Sequence, residues 1–152
     1  MHPLLVVAVI LALVAVATAL GFVWRSQQGR VRVGDARIVS IEGVPLGERA
    51  TLLQFSTEVC SPCRATARVL GDLADHTDAV EHIDLDVTHR PELAARYRVL
   101  QTPTTLILDQ DGAVRARIGG AVRRDLVVAE LRRVLEHSVL EHGVPQQKVL
   151  AA

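Results

Sequence analysis

From Leu4 to Trp24 the chain is apolar at nearly every position, mostly Leu, Val, Ala and Ile, with only Thr18 and Gly21 breaking the run. No Asp, Glu, Lys or Arg occurs before Arg25. Helical, the segment rises about 1.5 Å per residue and spans roughly 30 Å, the thickness of a bilayer's hydrocarbon core. A core helix of this length would carry polar positions on one face. The pattern therefore predicts an uncleaved transmembrane anchor over residues 1–25, with Trp24 in the interfacial aromatic belt. A cleaved export signal ending near Ala17-Thr18-Ala19 is the competing reading. Against it stand the absence of Lys or Arg ahead of the apolar run and the run's continuation past Ala19.

Beyond the anchor the periodicities change. Residues 26–48 hold Gln27-Gln28-Gly29 and Gly34 and read as a juxtamembrane linker, with a possible edge strand over Arg37 to Ile41. Thr51 to Phe55 is a β-leaning run suited to a buried central strand. Pro62, Ala65, Ala67, Val69, Leu70 and Leu73 recur at helical spacing, predicting a helix from about Ser61 to Ala74. Val80 to Val87 alternates, with Ile83, Leu85 and Val87 on one face and His82, Asp84 and Asp86 on the other, which predicts a strand and a surface position for His82. A short helix follows, opened by Pro91 and reaching Tyr97. Thr104 to Leu108 and Ala113 to Ile118 flank Asp109-Gln110-Asp111-Gly112, a hairpin signal with glycine where positive φ is needed. Leu126, Val127, Leu131, Val134 and Leu135 predict a last helix. Residues 138–152 read as a frayed helix end and tail.

Charge narrows the function classes. The 17 basic and 17 acidic side chains balance, so the chain carries no electrostatic footprint for nucleic acid. The same charges bear on sidedness. Arg25, Arg30, Arg32 and Arg37 follow the anchor and none precedes it, which by the positive-inside rule puts the domain on the cytoplasmic face; an extracytoplasmic domain is the alternative.

Two cysteines, Cys60 and Cys63, stand as Cys60-Ser61-Pro62-Cys63 between the predicted central strand and the helix that follows. A disulfide scaffold needs more cysteines, so a reactive or metal-binding pair is indicated. A thiolate is the nucleophile, and the unpaired N–H groups and positive dipole end of a helix's first turn favour it. Two intervening residues bring the second sulfur within bonding reach. Cys60 is the expected attacking thiolate and Cys63 the resolving thiol in exchange with a protein disulfide, a reaction that calls for no cofactor. Pro62 fits the first helical turn, where its missing N–H costs nothing. Arg64 adds positive potential there or is simply a solvated residue. Glu58 reads as an exposed loop acid. Copper(I) or zinc binding by the two thiolates is the alternative class, although closed zinc sites take four ligands and the histidines show no matching spacing.

The dithiol at a helix start, the β-α-β-α-β-β-α order and Thr102-Pro103 before the third strand together resemble the thioredoxin family over roughly residues 49–137. The resemblance implies an α/β three-layer fold around a central mixed sheet. It further implies a cis peptide bond at Thr102-Pro103 facing the cysteines, with Pro103 packed against the disulfide and the Thr102 backbone pairing with an extended substrate chain. Its implied partners are protein thiols or disulfides and an upstream thiol reductant. Val59, Ser56 and Ser61-Pro62 depart from the family pattern, and Gln54 stands where thioredoxins proper have a buried carboxylate that manages the resolving thiol's proton. Gln54 is expected beneath the cysteines as a hydrogen-bonding amide. The whole looks like a membrane-tethered thioredoxin-like protein of actinobacterial style with a restricted partner. With the domain outside, it would instead resemble exported reductants of apocytochrome or misoxidised proteins.

Overall fold

The computed structural model describes residues 3–27, 31–33, 38–40 and 44–142. Helix α1, Pro3–Gln27, contains the apolar stretch Leu5–Val23, which is long and apolar enough to cross a membrane and buries none of its length against the rest of the chain. Strand β1 is Val31–Val33. The rest follows as β2 (Ala50–Ser56), α2 (Ser61–Asp75), β3 (Val80–Asp86), α3 (Pro91–Arg96), β4 (Thr104–Asp109), β5 (Val114–Gly119) and α4 (Arg124–His142).

The strands form one mixed sheet in the order β1-β5-β4-β2-β3. Only β2 and β3 run parallel; the other pairs are antiparallel. Every residue of β2 is buried because helices cover both of its faces. On one face Ala50, Leu52, Ile107 and Ile118 pack with Leu70 and Leu73 of α2 and Val127, Leu131 and Val134 of α4. On the other, Leu53, Phe55, Leu106 and Leu108 pack with Leu93 of α3 and with Tyr97, whose ring centroid lies 5.4 Å from that of Phe55. The period-2 positions of β2 and β4 thus feed two cores, and the three layers follow from that alternation.

The β4–β5 hairpin is held by one buried carboxylate. Asp109 accepts from the backbone N–H of Asp111 (3.0 Å) and Ala113 (2.8 Å) and from Arg115 Nε (2.5 Å). Gly112 sits at φ +77°, and a Cβ there would meet the Val39 carbonyl oxygen at 2.8 Å, so the turn needs glycine on both counts.

Three expectations change. The edge strand is Val31–Val33, inside the stretch read as linker, and it pairs with β5; of the Arg37 to Ile41 segment, Ile38 makes an isolated bridge to Ala113, and Arg37 and Ile41 lie outside the described residues. The last helix runs on to His142, through residues expected to fray, while residues 143–152 of the expected tail lie outside the described residues. His82 is half-buried, not a surface residue. Of the polar face of β3, His82 is turned toward α2, where a Cβ on Gly71 would lie 3.7 Å from its Nδ1, while Asp84 and Asp86 stay exposed. Burial pushes the imidazole below its ordinary value, opposed by the nearby Asp84 and Asp75 carboxylates.

Candidate active site

Strand β2 ends at Ser56, and the chain turns through Thr57, Glu58 and Val59 into α2. Cys60 is the N-cap of that helix, in extended conformation, and Pro62 lies in its first turn. The N–H of Cys63 bonds the Cys60 carbonyl at 3.1 Å, a tight first turn that brings the two Cα atoms to 5.2 Å. The sulfurs are joined as a disulfide. Both cysteines are buried, at 7% and 3% exposure. Val59, next to Cys60 in the chain, and Leu100, in the loop before β4, are two of the most exposed large apolar side chains of the domain, at 97% and 94%.

The loop before β4 reaches the turn that carries the cysteines. The Thr102-Pro103 bond is cis and Pro103 is buried, its carbonyl accepting from Gly120 N–H at 2.7 Å. Thr104 Oγ1 donates to the Gln101 carbonyl at 2.7 Å, tightening the same loop. The hydroxyls of Thr102 and Thr57 lie 3.2 Å apart, linking the proline loop to the turn that carries the cysteines.

Gln54, fully buried on β2, donates Nε2 to the Cys63 carbonyl at 3.1 Å. Its second contact is Asp84 Oδ2 at 3.4 Å, across the parallel pairing that sets Gln54 beside Asp84. Both neighbours only accept, so the amide must turn its NH₂ toward them. Gln54 Oε1, with Thr66 Oγ1 and Thr105 Oγ1, is buried without a hydrogen-bond partner.

Of the other sequence candidates, Arg64 is exposed on the first turn of α2. The Glu58 carboxylate is turned toward His89, 3.8 Å from Nε2, while its backbone N–H donates to Thr88 Oγ1. Asp84, Thr57 and Leu100 are contributors the sequence reading missed. The alternation that set Asp84 on a polar face was the available signal, and the register against β2 turns that face into a neighbour of Gln54. Among the described residues no group of three or more His, Cys, Asp or Glu side chains gathers around a common point.

A vicinal dithiol–disulfide at the N-cap of a helix, with a cis-proline loop bonded to the turn before it on a mixed sheet, defines a thiol–disulfide oxidoreductase of thioredoxin fold. The comparisons agree: the thioredoxin family profile matches residues 42–133, and the chain belongs to that family. Thioredoxin from Alicyclobacillus acidocaldarius is 32% identical over 91 residues, covering 59% of this chain and 86% of that protein. Thioredoxin from Mycobacterium tuberculosis is 32% identical over 106 residues, covering 69% and 89%. Among solved structures, thioredoxin from Fasciola hepatica superposes with a TM-score of 0.50 at 29% identity, over 57% of this chain and 82% of that one. A variant thioredoxin from Halobacterium salinarum gives 0.52 at 25%, over 58% and 76%.

Proposed function

We propose that this protein is a membrane-tethered reductant of protein disulfides, held to the bilayer by Leu5–Val23 and acting on the cytoplasmic face. The supporting observation is the pairing, in one chain, of an apolar span with a helix-capping dithiol. In the reduced state Cys60, at the helix tip, attacks one sulfur of a partner disulfide as the thiolate. A mixed disulfide forms and the partner's other sulfur leaves as a thiolate. Cys63 then loses its proton and attacks Cys60 Sγ, the Cys60–Cys63 bond forms, and the partner leaves with two thiols. Two electrons pass from this chain to the partner, and an upstream thiol reductant returns them.

The other groups are assigned supporting parts. Thr102 presents backbone to the substrate chain, Pro103 packs beside the disulfide, Pro62 fixes the first turn, and Arg64 adds positive potential. Gln54 holds the Cys63 carbonyl and takes no proton, so resolution relies on solvent or an incoming group for its base.

Insulin reduction by the full chain, with dithiothreitol as electron source, tests the activity: Cys60→Ser is expected to abolish it, and Cys63→Ser to accumulate mixed disulfide. Retained turnover in Cys60→Ser refutes the reading. Sidedness rests on the arginines after the anchor, and a C-terminal reporter fusion that is active only when exported would reverse it.

A further inference from the structure

The membrane helix is joined to the sheet at the end that carries the dithiol. Val31 pairs with Ile118, Ile118 with Thr105, and Thr105 with Gln54, so one row across the sheet runs from the first residue of β1 to the side chain that holds Cys63. Strand β5 runs toward Gly119 and Gly120, which touches the Pro103 carbonyl. Strand β1 is antiparallel to it, and so begins at the active-site end and runs away from it. The Asp109–Gly112 hairpin lies at the opposite end.

The distances are short. From Val23, the end of the apolar stretch, α1 continues to Gln27, a rise of about 6 Å. Four Cα steps from Gln27 to Val31 reach at most about 14 Å. Two strand spacings and two residues then separate Val31 from Pro103, about 12 Å. The proline loop is thereby confined to within about 32 Å of the hydrocarbon edge, and nearer than that unless every segment is fully extended. Val59 and Leu100 give this same end an exposed apolar lip.

Taking the tethered oxidoreductase reading as its basis, we infer that the natural substrate is a disulfide carried by another transmembrane chain close to the bilayer surface, not one on a freely diffusing protein. Fastening the sheet by its reactive end raises the effective concentration of such a disulfide and denies reach to one held far above the membrane. The apolar lip suits the apolar-to-interfacial chain that flanks a membrane span. The electron balance is that given above: the Cys60–Cys63 dithiol is oxidised and the partner's disulfide becomes two thiols.

The test uses the full chain, reduced with dithiothreitol, freed of it, and reconstituted in phosphatidylcholine vesicles. Synthetic transmembrane peptides in the same vesicles each carry one disulfide loop, held about 10 or about 60 Å from the hydrocarbon edge on a helical spacer of about 1.5 Å per residue. Single-turnover reduction is read by alkylating the freed thiols and weighing the peptide. The near loop is expected to react at least tenfold faster than the far one. Inserting twenty Gly/Ser residues between Gln27 and Val31 is expected to raise the far rate at least fivefold. Equal near and far rates, with soluble insulin still reduced, overturn the membrane-proximal substrate alone. Failure to reduce insulin as well overturns the oxidoreductase reading beneath it.

Discussion

Replacing Gln54 by Glu converts the amide beneath Cys63 into a carboxyl of the same shape, and the surroundings dictate how it titrates. The side chain is fully buried, its Nε2 position faces the Cys63 carbonyl and Asp84 Oδ2, and both are acceptors. Desolvation and a neighbouring carboxylate both disfavour the ionised form, and together raise a carboxyl by about 3 units or more. Starting from an ordinary value near 4.3, that places the new group near pH 7. A raised acid holds its proton in the folded state while the unfolded chain has already released its own. Stability is therefore intact below about pH 4.3 and falls by about 1.4 kcal/mol per pH unit up to the folded value. Relative to native protein, Gln54→Glu is expected to lose about 1 kcal/mol at pH 5 and about 3.5 kcal/mol at pH 7. Urea unfolding at the two pH values measures the gap, with Gln54→Met as the non-titrating control. The new carboxyl also gives the resolving thiol a base of suitable strength, so turnover at pH 7 is expected to rise about tenfold. A stability gap that is the same at pH 5 and pH 7 would refute the placement of Gln54 between two acceptors.

Other substitutions probe the hairpin, the half-buried imidazole and a surface ion pair. Asp109→Ala strips three donors of a buried acceptor and is expected to cost about 3 kcal/mol, lowering Tm by roughly 10–20 °C; a circular-dichroism melt showing a drop under 3 °C would contradict the hairpin account. The His82 imidazole titrates below its ordinary 6.5 because it is partly desolvated, so as pH falls through 6.5 the unfolded chain takes up a proton first and native stability declines until the folded group protonates. His82→Phe should flatten that acid limb in pH-dependent unfolding, and an unchanged slope would assign it to other groups. The Arg124–Asp72 ion pair is exposed on both sides, so solvent screens it and Arg124→Ala should leave Tm nearly unchanged; a large drop in the same melts would contradict this.

Much of this arrangement is written in local pattern. The short β-leaning runs of β2 and β4, helical spacing after Pro62, and Asp111-Gly112 at the hairpin each encode an element in a few consecutive residues. What local pattern does not encode is register. The parallel pairing of β2 with β3 sets Asp84 beside Gln54 and turns His82 under α2, and no short window of sequence contains that offset. Polar alternation on β3 reads as a solvent face because the rule supposes one open side, whereas a strand beneath a helix has polar groups at the rim of a packed layer. Strand β1 escapes for a different reason: Val31-Arg32-Val33 is three residues between glycine-bearing segments, and only the waiting edge of β5 makes it a strand. The cysteines and Thr102-Pro103 were legible because their chemistry sits in adjacent residues; the contact of Thr57 with Thr102 was not, being made across 45 positions of chain.

The central claim is that Cys60, at the tip of α2, is the nucleophile of a dithiol whose second member is sheltered over Gln54. Limited alkylation tests it most directly: the full chain is reduced, exposed at pH 7 to sub-stoichiometric iodoacetamide, digested and weighed by mass spectrometry. Label is expected on Cys60 at least tenfold over Cys63, and at a rate above that of free cysteine. Label falling first on Cys63, or equally on both at the free-thiol rate, would contradict the account.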